Sequence, residues 1–152
     1  MAEIRRIRVD EAPVVRELYR AFVQELAARH PGDNIGISEQ GLSNLETKFR
    51  LGAVHEDEAT FVAEEDGAVV GFVTASVTRG RALPGVAGEI ETPWSSAGGS
   101  DLERRLAEAA VEWLSERGAR VIVHIADAAH PERELWERLG FEADVLRFSL
   151  YR

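Results

Sequence analysis

Apolar side chains at Val14, Leu18, Phe22 and Leu26 recur every four residues, which places them on one face of a helix. Asp10 and Glu11 precede that run and Pro13 sits in its first turn. The pattern therefore predicts a helix capped by Asp10 and running to Arg29, where His30-Pro31-Gly32-Asp33 stops it. Ile4, Ile7 and Val9, ahead of it, suggest a first strand with imperfect alternation. Leu42, Leu45 and Phe49 share a face of a second helix capped by Ser38 and ended by Gly52, although Gly41 and Asn44 are poor helix formers. The period then changes to two. Residues 60–65 and 68–77 are β-rich arms around Asp66-Gly67, a pair that favours a two-residue hairpin turn, and Gly71 marks a candidate bulge. A strand over 86–92 ends at Pro93.

Leu102, Leu106, Ala109, Ala110, Trp113 and Leu114 form the core-facing stripe of a third helix, with Gly118 just past its end. A strand over 120–126 follows, then a short helix opened by Pro131 and closed by Gly140. Residues 145–150 alternate as a last strand. The order β-α-α-β-β-β-α-β-α-β predicts one α/β (α+β) domain over 1–152, with a mixed central sheet of about six to seven strands flanked by about four helices. The central strands, 68–78, 86–92 and 120–126, are expected to splay near Thr92, with the third helix on one face.

Charge narrows the partners. The 152 residues carry a formal charge of −9, and such a chain lacks the basic face that nucleic acid requires. Acidity favours a cationic small molecule such as an amine, or it serves solubility alone. With no cysteine, disulfides and thiolate metal sites are excluded. No apolar run reaches the roughly 20 residues that span a bilayer, and the N-terminal residues show no secretory h-region. A cytoplasmic protein without membrane contact is expected.

The candidate chemistry lies in two places. Gly98-Gly99-Ser100-Asp101-Leu102-Glu103 is a glycine-bearing loop opening a helix, a common way to present backbone N–H groups to a phosphate. The same residues carry two acids, and Ser100 with Glu103 makes an S-x-x-E capping box that would occupy helix-end donors. A phosphate cradle and a self-capped helix are both open. Upstream, alternation places Glu89 and Glu91 on one face, opposite Ile90, where either carboxylate could take a proton from an amine or simply face solvent. His124, Asp127 and His130 span a strand end and a loop, so their spacing does not converge on a metal. Ser95 and Ser96 lack a G-x-S-x-G setting.

Leu135-Trp136-Glu137-Arg138-Leu139-Gly140-Phe141, the helix from Glu108 through Trp113 to Gly118, and the hairpin from Asp66-Gly67 to Val73 together resemble the GNAT superfamily of acyl-CoA-dependent N-acetyltransferases. The resemblance spans nearly the whole chain. It implies acetyl-CoA as co-substrate, bound mostly through backbone groups of Ile90, Glu91 and Thr92 on the strand and of Gly98, Gly99, Ser100 and Asp101 in the loop, with Arg104 adding charge. It implies Glu89 or Glu91 as general base toward a small amine acceptor. The chain departs from the family's R/Q-x-x-G-x-G/A loop at Gly98, Asp101 and Glu103, and Trp136 stands where the family usually has its tyrosine acid. Two readings follow: an acetyl-CoA-dependent N-acetyltransferase, or a non-catalytic GNAT-like ligand-binding or interaction domain, with a homodimer as the candidate assembly.

Overall fold

The computed structural model describes residues 1–33, 35–79, 85–125 and 132–144. Its sheet is built around the hairpin that Asp66-Gly67 turns. Both residues have left-handed backbones (φ 51° and 79°), as a two-residue turn matched to strand twist requires. The turn joins β2 (Glu58–Glu65) to β3 (Ala68–Arg79), with Phe61 opposite Val73 and Val62 opposite Phe72. The register slips beside Gly71: Ala63 faces Gly71 but Glu64 faces Val69, so Val70 is the extra residue of a bulge. Glycine at 71 serves a second purpose. A Cβ there would stand 2.8 Å from the Trp94 carbonyl oxygen, because the short strand β5 (Trp94–Ser95) pairs with Gly71 and Phe72.

β1 (Glu3–Arg6) pairs antiparallel with β2, β4 (Val86–Ile90) antiparallel with β3, and β6 (Ala119–Val123) parallel with β4. The order β1-β2-β3-β4-β6, with β5 on β3, makes a mixed six-stranded sheet among the described residues. Alternation along each strand divides the core between its faces. Ala63, Val73, Ala75 and Ile90 pack on Leu106, Ala110 and Leu114 of α3 (Ser100–Glu116), joined by Leu135 and Trp136 of α4 (Arg133–Arg138). Val62, Phe72 and Trp94, on the other face, pack on α1 (Ala12–Arg29) and α2 (Glu39–Leu51) through Val15 and Phe49. This is the predicted α+β architecture. Among the described residues no helix is long and apolar enough to cross a membrane.

Several local expectations are corrected. Asp10 caps nothing; it lies in a 3-10 turn (Val9–Glu11) that precedes α1. Glu11 is drawn inward instead, accepting from the Arg8 backbone N–H at 2.8 Å while Arg5 bridges it to Glu64. On α1 the predicted face holds at Leu18 and Phe22, which pack on the core, but not at its start, where Val14 is 46% exposed and Val15 fully buried, because a sheet-facing helix uses positions three as well as four apart. The first strand stops at Arg6, leaving Ile7 buried and Val9 exposed. Ser38 does cap α2, accepting from Gly41 N–H at 3.0 Å. The strand expected over 145–150 lies outside the described residues.

Candidate functional site

Among the described residues β4 and β6 pair as far as Glu89 and Val123. Beyond that point His124 turns inward, with Nδ1 2.8 Å from the Ile90 carbonyl oxygen. A carbonyl only accepts, so Nδ1 carries the proton. The imidazole stacks on Trp136 at 3.9 Å between centroids and 19° between planes, and Phe141 meets the indole edge-on at 5.0 Å. Trp136 is 5% exposed, and its indole nitrogen has no hydrogen-bond partner among the described residues. It is therefore a packing residue under the strand ends, and an indole N–H has no proton to deliver at ordinary pH.

The opposite face of the same strand ends carries the carboxylates. Ile90 is buried under α3, so Glu89 and Glu91 both point to the α1–α2 side, as alternation predicts. Glu89 lies across the ladders from Ser76 of β3 and Val123 of β6, half-buried and without an ion pair among the described residues. Glu91 is held by Lys48 of α2 at 2.5 Å. Its backbone N–H is already used, donating to Thr74 O at 3.0 Å. The Tyr19 phenol of α1 lies close enough to feel both charges. Burial pushes its pKa up, Glu91 pushes it further, and Lys48 opposes. The buried Thr74 hydroxyl, on this face of β3, has no partner among the described residues. Lys48 and Tyr19 were not foreseen from sequence. Each sits beside an apolar helix position, and nothing local distinguishes it from any other surface lysine or half-buried tyrosine.

The loop before α3 differs from the predicted box. Gly98 adopts a left-handed backbone (φ 61°), and Gly99, not Ser100, is the N-cap. The helix thus starts one residue early, and Glu103 falls a position too late for an S-x-x-E box with Ser100. Its carboxylate accepts instead from the Ser95 backbone. Among the described residues no side-chain hydrogen bond caps the helix end at Gly99, and a Cβ on Gly98 or Gly99 would meet nothing within 4 Å. These features suit an anion.

The surrounding side chains do not. A cavity of about 360 Å³ opens at this end of α3, walled by α1, Trp94, the first turn of α3 and the start of α4. Glu25, Glu103 and Glu132 all line it. Trp94 Nε1 donates to Glu25 at 2.7 Å, and Arg29 pairs with the same carboxylate. Burial raises Glu103, with Glu25 adding and Arg29 opposing. Burial, reinforced by Glu103, pushes Glu132 up to about 7. Arg104, expected to add positive charge, is bound to Asp101 at 2.7 Å and to Glu108. Tested against a nucleotide pyrophosphate, this lining does not fit: Glu25, Glu103 and Glu132 contribute carboxylates to it, and Arg29, Arg104 and Arg138 are each paired with an acid. Glu25, Arg29 and Glu132 gave no sequence signal, since they join this end of α3 only through the fold. Asp127 and His130 lie outside the described residues, within which no group of three His, Cys, Asp or Glu side chains could hold a metal.

A model of the Acetyltransferase (GNAT) family matches residues 15–141. No curated protein sequence matches the chain. Among solved structures, a putative acetyl transferase from Pyrococcus furiosus is similar at 20% identity and TM-score 0.76, with 100% of both chains covered. A predicted acetyltransferase with acetyl-CoA from Clostridium acetobutylicum shares 15% identity at TM-score 0.74, over 99% of this chain and 96% of that one. Glucosamine-6-phosphate N-acetyltransferase from Arabidopsis thaliana gives 15% identity and TM-score 0.68, over 99% of this chain and 98% of that one. At such identities the likeness is one of fold.

Proposed function

Because the chain belongs to the Acetyltransferase (GNAT) family, we propose that it moves an acetyl group from acetyl-CoA to the amine of a small acceptor. The observation that carries this reading is that Glu89, on β4, and Glu91, just past its end, face the same side of the sheet beside the last paired residues of β4 and β6. The donor supplies an activated acetyl group. The chain's own residues act on the acceptor. An incoming ammonium group is attracted to this carboxylate pair, and Glu89, which forms no ion pair among the described residues, takes the proton. Glu91, neutralised by Lys48, positions the amine and completes the wall with Tyr19. Trp136 contributes shape and no proton. A small-molecule acceptor is also what the Arabidopsis neighbour's name implies for that protein.

The test is release of free thiol from acetyl-CoA over a panel of small amines. Glu89→Gln is expected to lower kcat/KM by about a hundredfold while leaving the fold intact. Undiminished turnover in Glu89→Gln and in Glu91→Gln would remove both carboxylates from the chemistry.

The carboxylates at the start of α3 favour a second reading, a non-catalytic GNAT-like module that binds a ligand or a partner. Absence of both acetyl-CoA binding and thiol release across the panel would decide for it.

A further inference from the structure

On the sheet face opposite α3, β4 and β6 bring an acid and an apolar row together. A Cβ on Gly88 would meet Leu114 of α3, and Ile90 and Ile122 pack into the same core, so Ala87, Glu89, Val121 and Val123 face the other way. The parallel register sets Ala87 beside Val121 and Glu89 beside Val123, on strands about 4.8 Å apart. α1 and α2 cover this face over β2 and β3, where Val62 and Phe72 are buried. Their cover does not extend to β6, where Val121 is 54% and Val123 44% exposed. A single exposed valine needs no explanation, but two in a row against a half-buried carboxylate do. The other sides of Glu89 are polar: Ser76 lies across the ladder on β3, and Lys48 holds Glu91. A substituent on an amine at Glu89 therefore meets apolar surface along β6. Hydroxyl groups laid there would lose water and find no partner on the valines.

We propose that the acceptor is a primary amine with an apolar substituent: Glu89 receives the ammonium end, and Val121 and Val123 receive the apolar part. Charge decides the occupant. A purely apolar partner, the valines of a second copy included, would bury the Glu89 carboxylate without a counter-charge. An alkylammonium ion supplies both the charge and the apolar surface. This rests on the acetyl-transfer reading for the fate of the amine, whereas the preference for an apolar substituent is a property of the face and is read by binding alone. Val121 and Val123 are the specificity-determining residues.

Amide chemical-shift titration of the full chain by NMR compares hexylamine with diglycolamine, an ether alcohol that has the same ammonium end and the same number of heavy atoms. Hexylamine should bind at least about tenfold tighter, because each methylene taken fully out of water is worth about fourfold. Its shifts should centre on residues 87–89 and 121–123. The pair Val121→Thr with Val123→Thr keeps shape and β-branching on an exposed face, and it should narrow the ratio to about threefold or less. Val123→Thr alone serves if the pair disturbs the circular dichroism spectrum. Equal affinities, a ratio that the threonines leave in place, shifts centred elsewhere, or no hexylamine binding would overturn the assignment. So would a dimer in sedimentation that the threonines dissociate, since the face would then belong to a second copy. If hexylamine binds as expected but releases no thiol from acetyl-CoA, acetyl transfer fails as the function and the preference for an apolar amine stands.

Discussion

Glu132 has the most displaced carboxyl described above, pushed up to about 7 by burial and then by Glu103. A folded state that holds a proton more tightly than the unfolded chain loses stability as that proton leaves. The contribution is complete below the ordinary value of 4.5 and declines as pH rises through about 7. Glu103, also raised, adds in the same direction. Glu11 behaves oppositely: Arg5 lowers it, so its contribution persists above the ordinary carboxyl range and is lost only in more acid solution. Thermal unfolding scanned from about pH 5 to about pH 8 should therefore show a falling Tm, and Glu132→Gln should flatten that fall. A slope unchanged in the variant would place the responsible proton elsewhere. None of this is legible along the chain, where Glu132 follows Pro131 as an unremarkable first-turn acid.

At the scale of elements, the approach of α3 to the sheet positions both halves of the site. The contact is close at Gly88, where a Cβ would stand 2.7 Å and 2.8 Å from the two δ-carbons of Leu114. Gly88→Ala must displace a fully buried leucine, and overpacking of this kind costs about 1–3 kcal/mol. Leu114→Ala alone should cost about 2–5 kcal/mol by leaving a cavity. Because each change relieves the other, the double variant should be less destabilised than the sum, as measured by chemical denaturation. Simple additivity would mean that α3 does not bear on β4 at this point. The helix itself was legible from Leu106, Ala110, Trp113 and Leu114, all of which are buried. Its start was not. Ser100 with Glu103 satisfies a local capping rule, but the left-handed turn at Gly98 starts the helix one residue sooner, with Gly99 as the N-cap.

For the whole molecule, a charge of −9 sets the long-range field. An anionic donor approaches against that field, while an ammonium acceptor is drawn in by it. Stopped-flow association of acetyl-CoA should accelerate as salt is raised from low to physiological ionic strength, and association of a small amine should slow. Equal salt dependence for the two ligands would show that local charges outweigh the net charge.

The sequence by itself determined what depends on near neighbours: the Asp66-Gly67 hairpin, the Ser38 cap, the periodic helices, the shared face of Glu89 and Glu91, and the family resemblance carried by 135–141. Those features follow from backbone sterics and from side-chain periods of two and 3.6, which act over a few residues. Tertiary structure alone decided that Lys48 neutralises Glu91, that His124 and Trp136 stack beneath the strand ends, and that Glu25 and Glu132 join Glu103 at the start of α3. These groups are far apart along the chain. Their charge states and packing exist only once the sheet and helices have removed water from around them, because desolvation and Coulomb energy depend on distance in space.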